Sequence, residues 1–389
     1  MNNLERFKAV CHGEQPDYLP IFSFPGAPGM GRGCMKKTHD RLVATGMPAQ
    51  IGGVWDMTDG EARVESWQKY WGTTGPISCG IRLGRGARGF KETLRIEGEF
   101  EIIESESGSV TRQLIDNDIT YSMPEFITFP VRDRESWEFY KERTTPAEWL
   151  SVADVEEQCR QFDGRDKPLA VGVGSTWGGL RSLMGPERAC TILYDDPQLA
   201  HDILDHRYRE WGQHTFPLIE RLRPEVIQMW EDCCYNHGCL ISPKHFEEFC
   251  APFYRKVAHL KEAVGADMLT VDCDGNVMEL VAWLEACGLN CLYPFEVKAG
   301  NDLFALRERH PEFILMGWLE KECVNEGNEA MIEPEIMSKV PPLLAKGRYF
   351  PNGDHGLQPM VTFDNLRRFM TLLHEVTGNP EGEFPRKEM

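Results

Sequence analysis

The stretch "MLTVDCDGN", residues 268–276, reads as a core strand that runs into two carboxylates. Met268, Leu269 and Val271 suit a buried sheet, whereas Asp272 and Asp274 do not. Side chains alternate along a strand, so the two aspartates share a face and Cys273 points away from it. Like charges this close resist ionising together, so one of them is expected to hold a proton or share a cation. A plainer alternative for Asp274-Gly275-Asn276 is a turn and helix cap, a common use of Asp and Asn.

The same pattern recurs on both sides. Apolar, β-rich segments fall at "PLAVGVGS" (168–175), "VIQMWED" (226–232), "CLYPFEV" (291–297), "FILMGWLE" (313–320) and "RYFPNGDHG" (348–356). Helix-like stretches separate them. One covers 196–222 after Asp195-Asp196-Pro197, and another opens at Ser242-Pro243, with Ser242 as N-cap and Pro243 at the first helical position. Strand alternating with helix signals a parallel sheet with helical crossovers. Several strands end on polar residues: Asp232, Asp274, Glu296 and the pair Asp354–His355. A (β/α)8 TIM barrel gathers such ends on one face, whereas an open doubly wound sheet gathers them mainly at one switch point. Four contributing strands favour the barrel.

The N-terminal part is less regular. "YLPIFSF" (18–24) is the expected first barrel strand, and the glycine-rich "PGAPGMGRG" (25–33) is placed over the barrel mouth. That loop lacks the G-K-[ST] ending of a phosphate-binding loop. Residues 80–125 alternate polar and apolar side chains and read as an antiparallel β-rich insertion within one domain spanning 1–389.

A formal charge of −19 excludes the basic footprint that nucleic acid or an anionic membrane requires. No apolar run approaches the ~18 residues of a spanning helix. Small molecules and other proteins are left as partners. The N-terminus shows no apolar secretory region, and the 13 cysteines are an odd number, so free thiols in a cytoplasmic setting are expected. Cys233, Cys234, Cys239 and Cys250 match no standard zinc spacing and read as structural thiols.

Chemistry is therefore sought at the strand ends. Asp232, Asp272, Asp274, Glu296 and His355 are the candidate catalytic residues, with a salt bridge from Glu296 to Lys298 or Arg307 as the bland alternative. Asp272, Asp274 and His355 also form a possible ligand set for a divalent metal. Arg32 in the glycine-rich loop and Arg181 after "GSTWGGL" can fork onto a substrate carboxylate or phosphate. Trp177 is either a platform for a flat substrate or a core residue, and Tyr293 accompanies Glu296 in the substrate-binding set.

Taken together, "LERFKAVCHGEQPDYLPIF", "GSTWGGLRSLMG", "WEDCCYNHGCLISPKHFEEFCAPFYRKV", "VDCDGNVMELVAWLEACGLNCLYPFEV" and "YFPNGDHGLQP" resemble the uroporphyrinogen decarboxylase (URO-D)-like superfamily. The resemblance implies a (β/α)8 barrel and two possible chemistries. Porphyrinogen decarboxylases grip substrate carboxylates with an arginine-rich L-R-Q-A-G-R-Y segment, which is replaced here by "FSFPGAPGMGRGCMKKTH". Corrinoid-dependent methyltransferases pass a methyl group between a corrinoid, here on a separate partner protein, and a thiol or a tetrahydrofolate-like carrier. Their thiol-methylating members hold zinc through H-x-C…C, and by position Asp272, Asp274 and His355 stand at those three points. The resemblance thus implies a methyltransferase with a hardened ligand set, or alternatively a carboxy-lyase. It also implies a possible homodimer.

Overall fold

The computed structural model describes residues 1–22, 33–54, 64–85, 93–104, 108–115 and 124–387. Seven parallel strands form one sheet in the order Tyr349–Gly353, Ile314–Leu319, Cys291–Pro294, Met268–Cys273, Val226–Trp230, Leu169–Gly172 and Ile77–Ser78. Just upstream of the last of these, Thr73–Thr74 pairs in parallel with Ile21–Phe22. Asn352 Nδ2 donates to the Phe22 carbonyl at 2.9 Å, which brings the final strand against the first. Phe7, Phe22 and Phe350 pack across that seam with ring centroids 5.4, 5.5 and 5.6 Å apart. The sheet therefore curls in chain order into a TIM-barrel-like α/β fold.

Strand alternation sorts the core into two layers. Met268, Cys291, Tyr293, Ile314, Met316 and Phe350 point inward and meet Phe7, Val10 and Leu19 of the N-terminal segment. Leu269, Val271 and Cys273 point outward into the larger cluster beneath the helices. Each fully buried apolar side chain contributes about 1.5–3 kcal/mol. A one-residue slip of Met268–Cys273 would exchange the two sets and drive Asp272 under the helices, so register is firmly specified.

The helix signals are realised where they were read. Ser242 Oγ accepts from His245 N at 3.2 Å with Pro243 at the first position. Asp196 Oδ1 caps Leu199 N at 3.0 Å. Between Ile77–Ser78 and Leu169–Gly172 the chain forms a four-stranded antiparallel sheet of Thr93–Glu97, Phe100–Glu104, Val110–Leu114 and Glu125–Thr128. A second antiparallel pair joins Gly84–Arg85 to Glu148–Trp149, so antiparallel pairing begins within the expected 80–125 and reaches beyond it. No described helix is long and apolar enough to cross a membrane.

Candidate active site

Two neighbouring strand ends bring the aspartates together. Trp230 lies opposite Asp272 in the parallel ladder, and the next residue, Glu231, donates its N–H to the Asp272 carbonyl at 2.9 Å. Asp232 then turns the chain at a left-handed φ of 46°, a conformation that a non-glycine residue adopts only under constraint. Here the constraint is visible. Asp232 Oδ1 accepts from Asp274 N at 3.0 Å, and Oδ2 pairs with Arg181 Nη1 at 2.8 Å. The Arg181 guanidinium also lies over the Trp230 ring, 5.5 Å from its centroid.

Asp272 faces into the barrel beside Asp232 and Asp274. Burial pushes its carboxyl well above the usual range, and the charges of Asp274 and Asp232 push the same way. A hydrogen bond from the Tyr293 hydroxyl opposes them. Tyr293 in turn accepts from Gln228 Nε2. Asp232 is also raised, first by burial and then by Asp274. Of the aspartate pair, Asp272 is the member whose carboxyl burial and like charges push up.

Two further strand ends complete the mouth. Glu296 Oε2 accepts from Gly275 N at 2.9 Å, and Oε1 lies 3.8 Å from Lys321 Nζ. Neither Lys298 nor Arg307 is its partner. Lys298 pairs with Glu322, and Arg307 donates to backbone carbonyls of Pro311 and Phe313. His355 Nδ1 accepts from Gly356 N at 2.8 Å, so the neutral ring carries its proton on Nε2, which faces Asp274 Oδ2 at 3.7 Å. The adjacent Asp354 is buried and serves the scaffold. Its oxygens accept from Val297 N at 2.9 Å and Lys321 N at 3.0 Å, which fixes the loops carrying Glu296 and Lys321.

Several sequence assignments need revision. Trp177 is 1% exposed, a core residue at the start of its helix, so it offers no platform for a flat substrate. Tyr293 is equally buried and positions Asp272. Glu231 is neither at the mouth nor exposed. Its carboxylate accepts from Thr176 N and Oγ1, both at 2.6 Å, from Gly178 N at 2.8 Å, and from the Tyr254 hydroxyl. It anchors the "GSTWGG" loop and so places Arg181. Arg32 lies outside the described residues.

Sequence reading also missed a thiol group. Among the described residues, only Cys233, Cys234 and Cys273 bring three ligand atoms within 4.8 Å of one another. Cys273 Sγ is 4.0 Å from Cys233 Sγ. Burial acts to raise the Cys273 thiol, but hydrogen bonds from Cys233 and Cys234 reverse this and hold it well below the usual range. Cys234, whose sulfur lies against those of Cys233, Cys239 and Cys273, is pushed up by these contacts. The signal was present: Cys233 follows Asp232, and Cys273 separates Asp272 from Asp274. On neighbouring in-register strands, residues beside inward carboxylates share the outward face. Cys250, grouped with these by proximity in sequence, is buried but stands apart from the trio.

The fold and these converging strand ends define a TIM-barrel-like α/β protein with an acidic mouth. The family model described as uroporphyrinogen decarboxylase (URO-D) matches residues 120–376, and the chain belongs to this family. A methyltransferase from Methanosarcina mazei has a similar structure, with a TM-score of 0.56 at 15% identity over 97% of this chain and 98% of that one. No curated protein matches. A cavity of about 630 Å³ opens elsewhere, among Arg6, Tyr18, Lys69, Asp166 and Glu381, and is not part of this mouth.

Proposed function

We propose that the chain is a methyltransferase of the URO-D family, moving a methyl group between a corrinoid on a separate protein and a small acceptor, a thiol or a tetrahydrofolate-like carrier. The observation that carries this reading is the charge of the mouth. Asp232, Asp272, Asp274 and Glu296 converge there, and the nearby Arg181 is already paired with Asp232. Such a mouth repels a polycarboxylate substrate and suits an acceptor that must give up a proton. As a thiol acceptor gains the methyl group, its proton passes to the Asp274 carboxylate, which the His355 Nε2–H steadies. When transfer runs the other way, the Asp274 carboxyl returns that proton along the same path.

The two donor sets differ in how they fit a zinc-type ion. Asp272, Asp274 and His355 are chemically suited to a divalent cation, but in this structure their ligand atoms do not converge within 4.8 Å. Tetrahedral Zn–S bonds of about 2.3 Å put sulfurs about 3.8 Å apart. The 4.0 Å between Cys233 and Cys273 is close to that, which supports Cys233, Cys234 and Cys273 over the carboxylate set as donors for a thiophilic ion. Bound there, outside the barrel wall, it would tie together the two strand ends that present Asp232, Asp272 and Asp274.

A carboxy-lyase acting on a carboxylated substrate is the second reading, favoured by the family match. The test incubates the full chain with methylcobalamin and thiol or tetrahydrofolate acceptors and follows loss of the methyl–cobalt absorption. Turnover that falls about 100-fold or more in Asp274→Asn is the expected result. No methyl transfer, together with CO2 release from uroporphyrinogen, would replace the first reading with the second.

A further inference from the structure

Behind the acidic mouth, Cys234 and Cys239 face each other across a tight antiparallel hairpin. The residues are directly paired in register, and Tyr235–Gly238 closes the turn. Leu240 N donates to Cys233 O at 2.8 Å, so the Cys234–Cys239 pair falls between hydrogen-bonded rungs. Cα atoms at such a position are about 4.5 Å apart, within the span of about 4.4–6.8 Å that a disulfide bridges. The sulfurs are 3.4 Å apart and need only side-chain rotation to bond.

The hairpin is also held rigid. Asn276 N donates to Tyr235 O at 2.9 Å. Gly275, at a φ of +87°, lies so close that a Cβ would sit 2.8 Å from Tyr235 N. Access is asymmetric: Cys239 is half-buried, whereas Cys234 is only 6% exposed and belongs to the three-thiol group.

We propose that Cys234 and Cys239 are a reversible dithiol–disulfide pair, and that oxidation withdraws Cys234 from the group it forms with Cys233 and Cys273. The oxidant is a small-molecule disulfide. The Cys239 thiolate attacks it and expels one thiol, leaving a mixed disulfide. The Cys234 sulfur then attacks Cys239 Sγ and expels the second thiol. Two cysteine thiols are oxidised, one disulfide is reduced, and the two cysteine protons end on the released thiols. In the oxidised protein that group retains two thiols, Cys233 and Cys273, where in the reduced protein it has three. The effect on an ion rests on the thiol-centred assignment above, but the disulfide itself does not.

The experiment equilibrates full-length reduced protein with a series of oxidised and reduced glutathione ratios under anaerobic conditions. Samples are acid-quenched, unfolded, alkylated and peptide-mapped, and matched samples are assayed for bound Zn2+. The expected result is an internal Cys234–Cys239 link, reversed by reductant, with zinc uptake falling about tenfold or more on oxidation. Cys239→Ser should show no link and should keep its zinc under the same oxidation. If that variant folds poorly, the wild-type map alone decides. Cys234 and Cys239 alkylated at every ratio, or a Cys233–Cys273 link in their place, would overturn the pair. Zinc retained by linked protein, or no zinc bound by reduced protein, would overturn the withdrawal. None of these readouts needs methyl transfer, so failure of the functional reading is scored separately.

Discussion

Replacing Glu231 with Gln tests whether the carboxylate beneath the mouth holds the "GSTWGG" loop by hydrogen bonding. Glu231 is 1% exposed, and one oxygen takes two Thr176 donors while the other takes Gly178 N. The amide must turn its NH2 toward one of these ends. Facing Gly178 is the cheaper choice, because only one backbone donor is then opposed. An unsatisfied buried donor costs about 1–3 kcal/mol, and the Thr176 bonds lose their charge assistance, about 1 kcal/mol more. Relief of a buried charge works the other way, since burial raises this carboxyl. The net expectation is about 2–3 kcal/mol of destabilisation at neutral pH. With an unfolding entropy of about 0.8 kcal/mol/K for 389 residues, the melting temperature should fall by about 3 °C. Scanning calorimetry measures this directly. An unchanged or higher melting temperature would show that charge burial outweighs the bonds, and the anchoring argument would be wrong.

Asp272→Asn should do the opposite. A carboxyl raised by folding binds its proton more tightly folded than unfolded, so stability is greatest below its unfolded pKa and is lost as pH rises through the folded one. Removing that charge should raise the melting temperature at about pH 8 and flatten its pH slope, with activity lost. A lower melting temperature there would mean that the Tyr293 bond dominates. Gly178→Ala places a Cβ 2.4 Å from the Glu231 carbonyl and from Ser175 Oγ, so overpacking of about 1–3 kcal/mol should appear as a lower urea midpoint. Cys273→Ser should abolish the sulfur-to-metal charge-transfer band of cobalt-substituted protein, whereas Asp274→Asn should keep it. The reverse pattern would move the ion to the carboxylates.

Sequence alone went far on the second half of the chain. Periodicity, the Ser242-Pro243 and Asp196 caps and the recurring polar strand ends sufficed for a parallel, barrel-like sheet. Alternation in "VDCDG" was enough to predict that Asp272 and Asp274 would contest their protons. These are local properties, readable because strand and helix periods are set by backbone geometry. What neighbouring strands do to one another is not local. Only the ladder shows that Trp230 lies opposite Asp272, which seats Cys233 against Cys273 across a sequence gap that no spacing rule covers. Only packing turned Trp177 and Tyr293 inward, made Glu231 an anchor and chose Lys321 as the partner of Glu296. The alternation that sends carboxylates inward sends the adjacent thiols outward. The sequence determined that two faces exist, and the tertiary structure decided what each face meets.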